Sequence, residues 1–229
     1  MSPLPRLFAN LPAVFTSGYD PERPWTLLDA PIESFLAGLE SAEILGRVHP
    51  AAHLLGDGIF LGKGSRVAPG AVLEGPIWIG EDVDVRVGAY LRGGCWIGDG
   101  CVVGANVEMK RGILFPGAHA AHLNYLGDSI LGANVNMGAG SILSNFRHDG
   151  QEIAIPSAPG PGERLQTGRR KLGAILGDGV ALGCNAVVNP GTIVGAGTHI
   201  YTGVQLRSGI YASDSVIKLR QELSIVGRG

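Results

Sequence analysis

Leu61-Gly62-Lys63-Gly64-Ser65-Arg66-Val67-Ala68-Pro69-Gly70-Ala71-Val72-Leu73 sets a beat of six. The aliphatic residue at Leu61, Val67 and Leu73 recurs at Ile79, Val85, Leu91, Ile97, Val103, Met109 and Phe115, ten consecutive sixth positions. Four residues after many of these stands a small or β-branched residue: Ser65, Ala71, Val83, Ala89, Cys101 and Val107. Glycine often follows the aliphatic residue directly, as at Gly62, Gly80, Gly98 and Gly104, where it permits a turn. Neither a helix nor an ordinary strand has a period of six. A parallel β-helix does. Each hexapeptide makes one flat side of a triangular coil with its aliphatic residue inward, and coils stack at the parallel-strand spacing of about 4.8 Å.

The beat returns in a new register at Leu131, Met137 and Leu143, and again at Leu176, Leu182, Val188, Val194, Ile200 and Leu206. The predicted fold is therefore all-β, a hexapeptide-repeat solenoid over residues 50–211. An N-terminal extension precedes it over 1–49, and a tail over 212–229 leaves it. Residues 147–171 interrupt it: Pro156, Pro159, Gly160, Pro161 and Gly162 exclude a coil, so a long inserted loop is expected, reaching a neighbouring chain or covering the site. Within the extension, residues 1–30 are proline-rich and irregular, and a helix over 31–42 caps the solenoid. Asp29 is placed to cap that helix, Pro31 falls in its first turn, and Ile32, Phe35, Leu36 and Leu39 form its apolar face.

Charge is nearly balanced, 18 basic residues against 20 acidic, which argues against nucleic acid or an anionic membrane as an obligate partner. Three cysteines are an odd count for a disulfide framework and suggest a reducing, cytoplasmic compartment. The first twenty residues carry Pro3, Pro5 and Pro12, with no signal-peptide core, and no run is long enough to span a bilayer.

The chemistry-bearing residues gather where the beat slips. Arg92 and Lys110 are eighteen residues apart, one full coil, and each follows an inward residue, Leu91 and Met109. They should stack about one strand spacing apart. Two such cations repel unless an anion lies over them, and a phosphate would serve; a pair of solvated surface cations is the other reading. Between Phe115 and Leu131 there are sixteen residues where the beat calls for eighteen, and His122 sits in that window. An imidazole there can act as a base near neutral pH, or simply pack. Cys95 and Cys101 occupy the small-residue position and read as core, whereas Cys184 follows Leu182-Gly183 and reads as outward. His49, His53, His119, His122, His148 and His199 form no set like the three zinc-holding histidines of the γ-class carbonic anhydrases, so no metal is expected.

Five motifs together carry a family resemblance: Leu91-Arg92, Val107-Glu108-Met109-Lys110-Arg111, His122-Leu123-Asn124-Tyr125-Leu126-Gly127-Asp128, Asn134-Val135-Asn136-Met137-Gly138-Ala139-Gly140 and the Asn145 region. They resemble the left-handed β-helix acyltransferases, specifically the acetyltransferase half of the bifunctional enzymes that acetylate glucosamine-1-phosphate and then make UDP-N-acetylglucosamine. Thr167–Cys184 looks closer still to archaeal-type sugar-1-phosphate nucleotidyltransferases with an acetyltransferase tail. The resemblance implies a left-handed coil and an acetyl-CoA-dependent N-acetyltransferase acting on an amino-sugar phosphate, working as a homotrimer with sites shared between subunits. It makes His122 the general base and Asn145 the residue that orients the amine or thioester. Arg92 and Lys110 hold phosphate, Tyr125 and Asn136 contact the sugar phosphate, and Lys171 adds a charge. Ala139, Cys184 and Thr202 line the coenzyme A groove.

The chain departs from that pattern. Phe146 stands where the bacterial enzymes have tyrosine, the loop after it is about twenty residues longer, and no lysine lies between Lys110 and Lys171. The nucleotidyltransferase's Gly-rich nucleotide loop is not found, so the chain as given is not expected to make a nucleotide sugar. Two alternatives stay open: a non-catalytic trimeric scaffold or sugar-nucleotide-binding module, and an acyltransferase acting on a nucleotide-linked amino sugar.

Overall fold

The computed structural model describes residues 4–157, 162–222 and 224–227. Among them the strands form three parallel sheets of nine, nine and eight strands, each strand pairing with the one a coil away. One face runs through Ile59–Leu61, Ile77–Ile79 and Cys95–Ile97; the second through Arg66–Val67, Asp84–Val85 and Val102–Ala105; the third through Val72–Glu74, Tyr90–Arg92 and Glu108–Lys110. This is the predicted β-helix. Ile97, Val85, Val188 and their sixth-position equivalents are fully buried inside it, with Cys95 and Cys101 among them. At about 25 cal/mol per Å² of apolar surface, this continuous stack is the main source of stability.

The tenth sixth position is different. Ile97 pairs with Leu114, not Phe115, and Val103 with Ala120, so the coil through Lys110 is seventeen residues long. The tight corner at Arg111 (φ 51°) and Gly112 omits one residue. Leu114 takes the inward place, and Phe115 points outward against Phe8, ring centroids 4.8 Å apart.

The outer side of the first face is also apolar. Phe60, Trp78, Trp96, Ile113, Ile130, Ile175, Ile193 and Ile210 stack in register along it. The extension covers much of this column with Leu7, Phe15, Trp25, Leu27, Leu28, Ile32 and Leu36. Its helix is Ala30–Ala37, shorter than the predicted 31–42, and ends at Gly38. Asp29 occupies the N-cap, but its side chain makes no cap bond and pairs with Arg169 instead.

Strand pairing extends past 50–211 at both ends. Glu43–Ile44 and Arg47–Val48 pair with the first coil, and Val216–Ile217 in the expected tail pairs with His199–Ile200. The insert is not featureless either: Ala154–Pro156 and Arg164–Gln166 form an antiparallel hairpin, whose Ile153 and Ile155 pack into the outer apolar cluster of the same chain. Pro3, Pro159, Gly160 and Pro161 lie outside the described residues. Among the described residues no helix is long and apolar enough to cross a membrane.

Candidate active site

The structure gathers the predicted residues in two places, at opposite edges of the third face. At the trailing edge, Lys110 lies directly beside Arg92 on the preceding coil. The expected stacking is therefore present, but Arg92 already pairs with Glu108 at 3.3 Å. Lys171 arrives from the end of the insert, held by an antiparallel bridge to Phe146. Burial, and then the nearby Lys171 charge, lower the Lys110 pKa. Lys110, Arg111, Arg169, Arg170 and Lys171 line a cavity of about 350 Å³ with Asp29 and Asp128, an unusual density of positive charge.

Asn145, only 8% exposed, lies behind this cavity's wall, bonded to Asp128. Its amide Nδ2 donates to Asp128 Oδ2 at 2.5 Å, and Tyr125 donates its hydroxyl to Asn145 Oδ1 at 3.4 Å. Burial raises the Tyr125 pKa, with the Glu108 and Asp128 charges adding to it, so the phenol stays a proton donor. Gly127 is required here: a Cβ would lie 2.4 Å from Asn145 Nδ2 and 2.8 Å from the Tyr125 hydroxyl. Asp128 is almost fully buried at 1% exposure, with Arg169 Nη2 at 3.7 Å and Arg111 Nε at 3.9 Å from its Oδ1. Those two arginines also pair outward with Asp29 and Glu33. Sequence reading gave Asp128, Arg111 and Arg169 no role. The signal available was a charged residue directly after the Leu126-Gly127 corner, where a solvated side chain would be the ordinary expectation.

His122 lies at the leading edge, exposed, at the end of strand His119–His122. The next residue, Leu123, adopts φ 52°, a left-handed conformation that costs a bulky residue energy. Asn124 holds it there. This buried side chain accepts from His122 N at 3.1 Å and donates to Gly138 O at 2.8 Å and Ser141 Oγ at 3.0 Å. Gly140 N then donates to His122 O at 3.1 Å, which places His122 over the Ala139 corner. The corners at Ala139, Cys184 and Thr202 follow in the same column, since Met137, Leu182 and Ile200 are register partners, and Asn185 N donates to Ala139 O at 2.9 Å. Cys184 is exposed, and a groove of about 410 Å³ lined by Gly183, Tyr201 and Thr202 continues the column.

Asn136 is on the second face, beside His119, and not with Tyr125. From His122 to Gly127, the register partner of Lys110, the chain turns the Leu123 corner and crosses the third face. Within one chain His122 and the cation pocket thus lie at opposite edges of this face. Among the described residues no group of three or more His, Cys, Asp or Glu side chains could hold a metal ion.

No family model matches the chain. The bifunctional sugar-1-phosphate nucleotidylyltransferase/acetyltransferase of Sulfurisphaera tokodaii is 40% identical over 89 residues, 39% of this chain and 21% of that protein. The bifunctional protein GlmU of Methanococcus aeolicus is 30% identical over 184 residues, 80% of this chain and 43% of that protein. The chain thus spans less than half the length of these curated relatives. Among solved structures, a UDP-N-acetylglucosamine acyltransferase from Campylobacter jejuni overlaps 71% of this chain and 68% of its own, with 16% identity and a TM-score of 0.39. The chain is a hexapeptide-repeat β-helix protein whose sequence relatives are bifunctional nucleotidylyltransferase/acetyltransferases and GlmU proteins.

Proposed function

We propose that the chain is an acetyl-CoA-dependent N-acetyltransferase acting on an amino-sugar phosphate such as glucosamine-1-phosphate. The observation that carries this reading is the cavity in which Lys110 and Lys171 meet beside Asn145 and Tyr125: a phosphate end next to a polar end. Lys110 and Lys171 bind the phosphate, with Arg92 behind them. Coenzyme A lies along the Ala139, Cys184 and Thr202 column, its thioester towards His122. The imidazole takes a proton from the substrate amine, the nitrogen attacks the thioester carbonyl, and the tetrahedral intermediate expels the coenzyme A thiolate.

The separation of His122 from Lys110 within one chain supports an oligomeric active unit. The base column of one chain faces the cation pocket of its neighbour, and a homotrimer closes three such sites. A nucleotide-linked amino sugar is the second reading, favoured by a further groove of about 440 Å³ lined by Phe146, Arg147 and Arg164. The test is thiol release from acetyl-CoA against a panel of amino-sugar phosphates and nucleotide sugars. Release with glucosamine-1-phosphate is expected; release only with nucleotide sugars transfers the assignment to the second reading, and release with none rejects both.

A further inference from the structure

Asn145 has an amide that can present either its oxygen or its NH₂ to a ligand. Its neighbour removes that freedom. A carboxylate only accepts, so the group facing Asp128 must be Nδ2, as the 2.5 Å bond records. Oδ1 is then turned the other way, where the Tyr125 hydroxyl reaches it at 3.4 Å and leaves a lone pair over. The backbone is fixed as well, because Leu172 N donates to Asn145 O at 3.0 Å. Gly127 carries no side chain that would push the amide or the Tyr125 hydroxyl out of place.

Charge points the same way. Around Asp128 stand Arg111 and Arg169, and each guanidinium also pairs with an outer carboxylate, Glu33 and Asp29. Asp128, Glu33 and Asp29 thus pair with Arg111 and Arg169, so these two guanidiniums are already committed to carboxylates. The remaining cations of the cavity, Lys110, Arg170 and Lys171, carry no carboxylate partner within ion-pair distance among the described residues. The cavity therefore offers unpaired cations to an anion, and Asp128 in its wall holds the Asn145 amide.

We propose that Asp128 is a positioning residue that locks the Asn145 amide with Oδ1 outward, so that the site selects an acceptor bearing a protonated nitrogen at one end and a phosphate at the other. This deepens the amino-sugar phosphate reading and rests on it. Asn145 accordingly receives an N–H from the acceptor and does not donate to the oxyanion, which falls to backbone N–H groups.

The experiment uses the full chain and two calorimetric titrants, glucosamine-1-phosphate and glucose-1-phosphate, which differ by amine against hydroxyl. The wild type should favour the amine by on the order of tenfold, the scale of one charge-assisted hydrogen bond. Asp128→Asn can donate or accept, so the preference for the amine over the hydroxyl should fall to about one. The paired variant Asp128→Asn/Asn145→Asp restores a one-way bond and should restore the preference. A preference unchanged in Asp128→Asn overturns the proposal. A second readout needs neither ligand nor turnover: the Asn145 side-chain NH₂ resonances, assigned by their absence in Asn145→Ser. One proton shifted well downfield and slow to exchange with solvent supports the lock, and a pair at open-chain positions exchanging freely with solvent overturns it. Locked resonances in a protein that binds neither sugar phosphate would reject the acceptor and leave the positioning in place.

Discussion

Lys110 and Arg92 stand side by side as register partners on adjacent coils, yet they are not equivalent. Arg92 shares its charge with Glu108 at 3.3 Å, whereas Lys110 faces Lys171 and is destabilised as a cation by burial and by that neighbour. Lys110→Ala should therefore raise KM for the phosphorylated acceptor about tenfold with kcat within about threefold, the pattern of lost ground-state binding. Arg92→Ala should have the smaller effect. The native lysine titrates below its ordinary 10.5, so the cost of holding it charged is present at neutral pH and fades as pH rises through the native value. Stabilisation by inorganic phosphate in thermal melts should accordingly be larger at neutral pH than in strong alkali.

His122→Ala should lower turnover by roughly 10²–10⁴-fold, the range for losing a positioned proton acceptor. Acetyl-CoA affinity, read by calorimetry, should change little, because the proposed coenzyme A column is lined by other residues. A folded His122→Ala oligomer with undiminished turnover would assign the imidazole to packing.

The distance between that histidine and Lys110 within one chain gives a sharper test. Mixing unfolded His122→Ala and Lys110→Ala chains and refolding them together should restore activity neither has alone. Random assembly leaves about a quarter of inter-chain sites with both native residues, since each of the two contributing chains supplies the correct one half of the time. No recovery in verified mixed oligomers would place the complete site within one chain.

Cysteine accessibility reports on the proposed cofactor column. A thiol reagent at about pH 8 should label Cys184 in the native protein and reach Cys95 and Cys101 only on unfolding. Acetyl-CoA should slow the Cys184 reaction. Burial pushes both core thiols up to about 12, against 9.0 for an open chain, so the native state keeps protons that the unfolded chain gives up. The contribution of these two thiols to stability should therefore be level below about pH 9 and fall between 9 and 12, as the difference in denaturant midpoints between the wild type and Cys95→Ala/Cys101→Ala would record.

Ile97 is fully buried within the coil. Ile97→Asp puts an unpaired charge there and should cost about 4 kcal/mol or more, seen as loss of cooperative unfolding.

The coil was readable from the sequence because its signal is repeated: every side needs one inward aliphatic residue, and Leu61 through Met109 supply it on time. Phe115 kept the beat but not the position, since a corner shortened at Arg111 and Gly112 is silent in a count of apolar residues. The outer column of Trp78, Trp96, Ile113 and Ile130 was also in plain view, one residue before each inward position, and it explains why an irregular, proline-rich segment folds against it. The pairing of Arg92 with Lys110 followed from arithmetic. Asp128 did not, because its neighbours Asn145, Arg111 and Arg169 are brought together by corners and by the insert, across as many as forty-one residues.

The bridge between Phe146 and Lys171 has a consequence for how such a chain can change. The insert departs and returns through adjacent positions, and Leu131, Met137 and Leu143 pair with Leu176, Leu182 and Val188 as if nothing stood between them. The stack therefore does not register the length of what hangs from that doorway. Segments of other sizes can be exchanged there without disturbing the layers above or below, and each exchange would redraw the wall of the cation-lined cavity while the residues on the coil itself stay where they are.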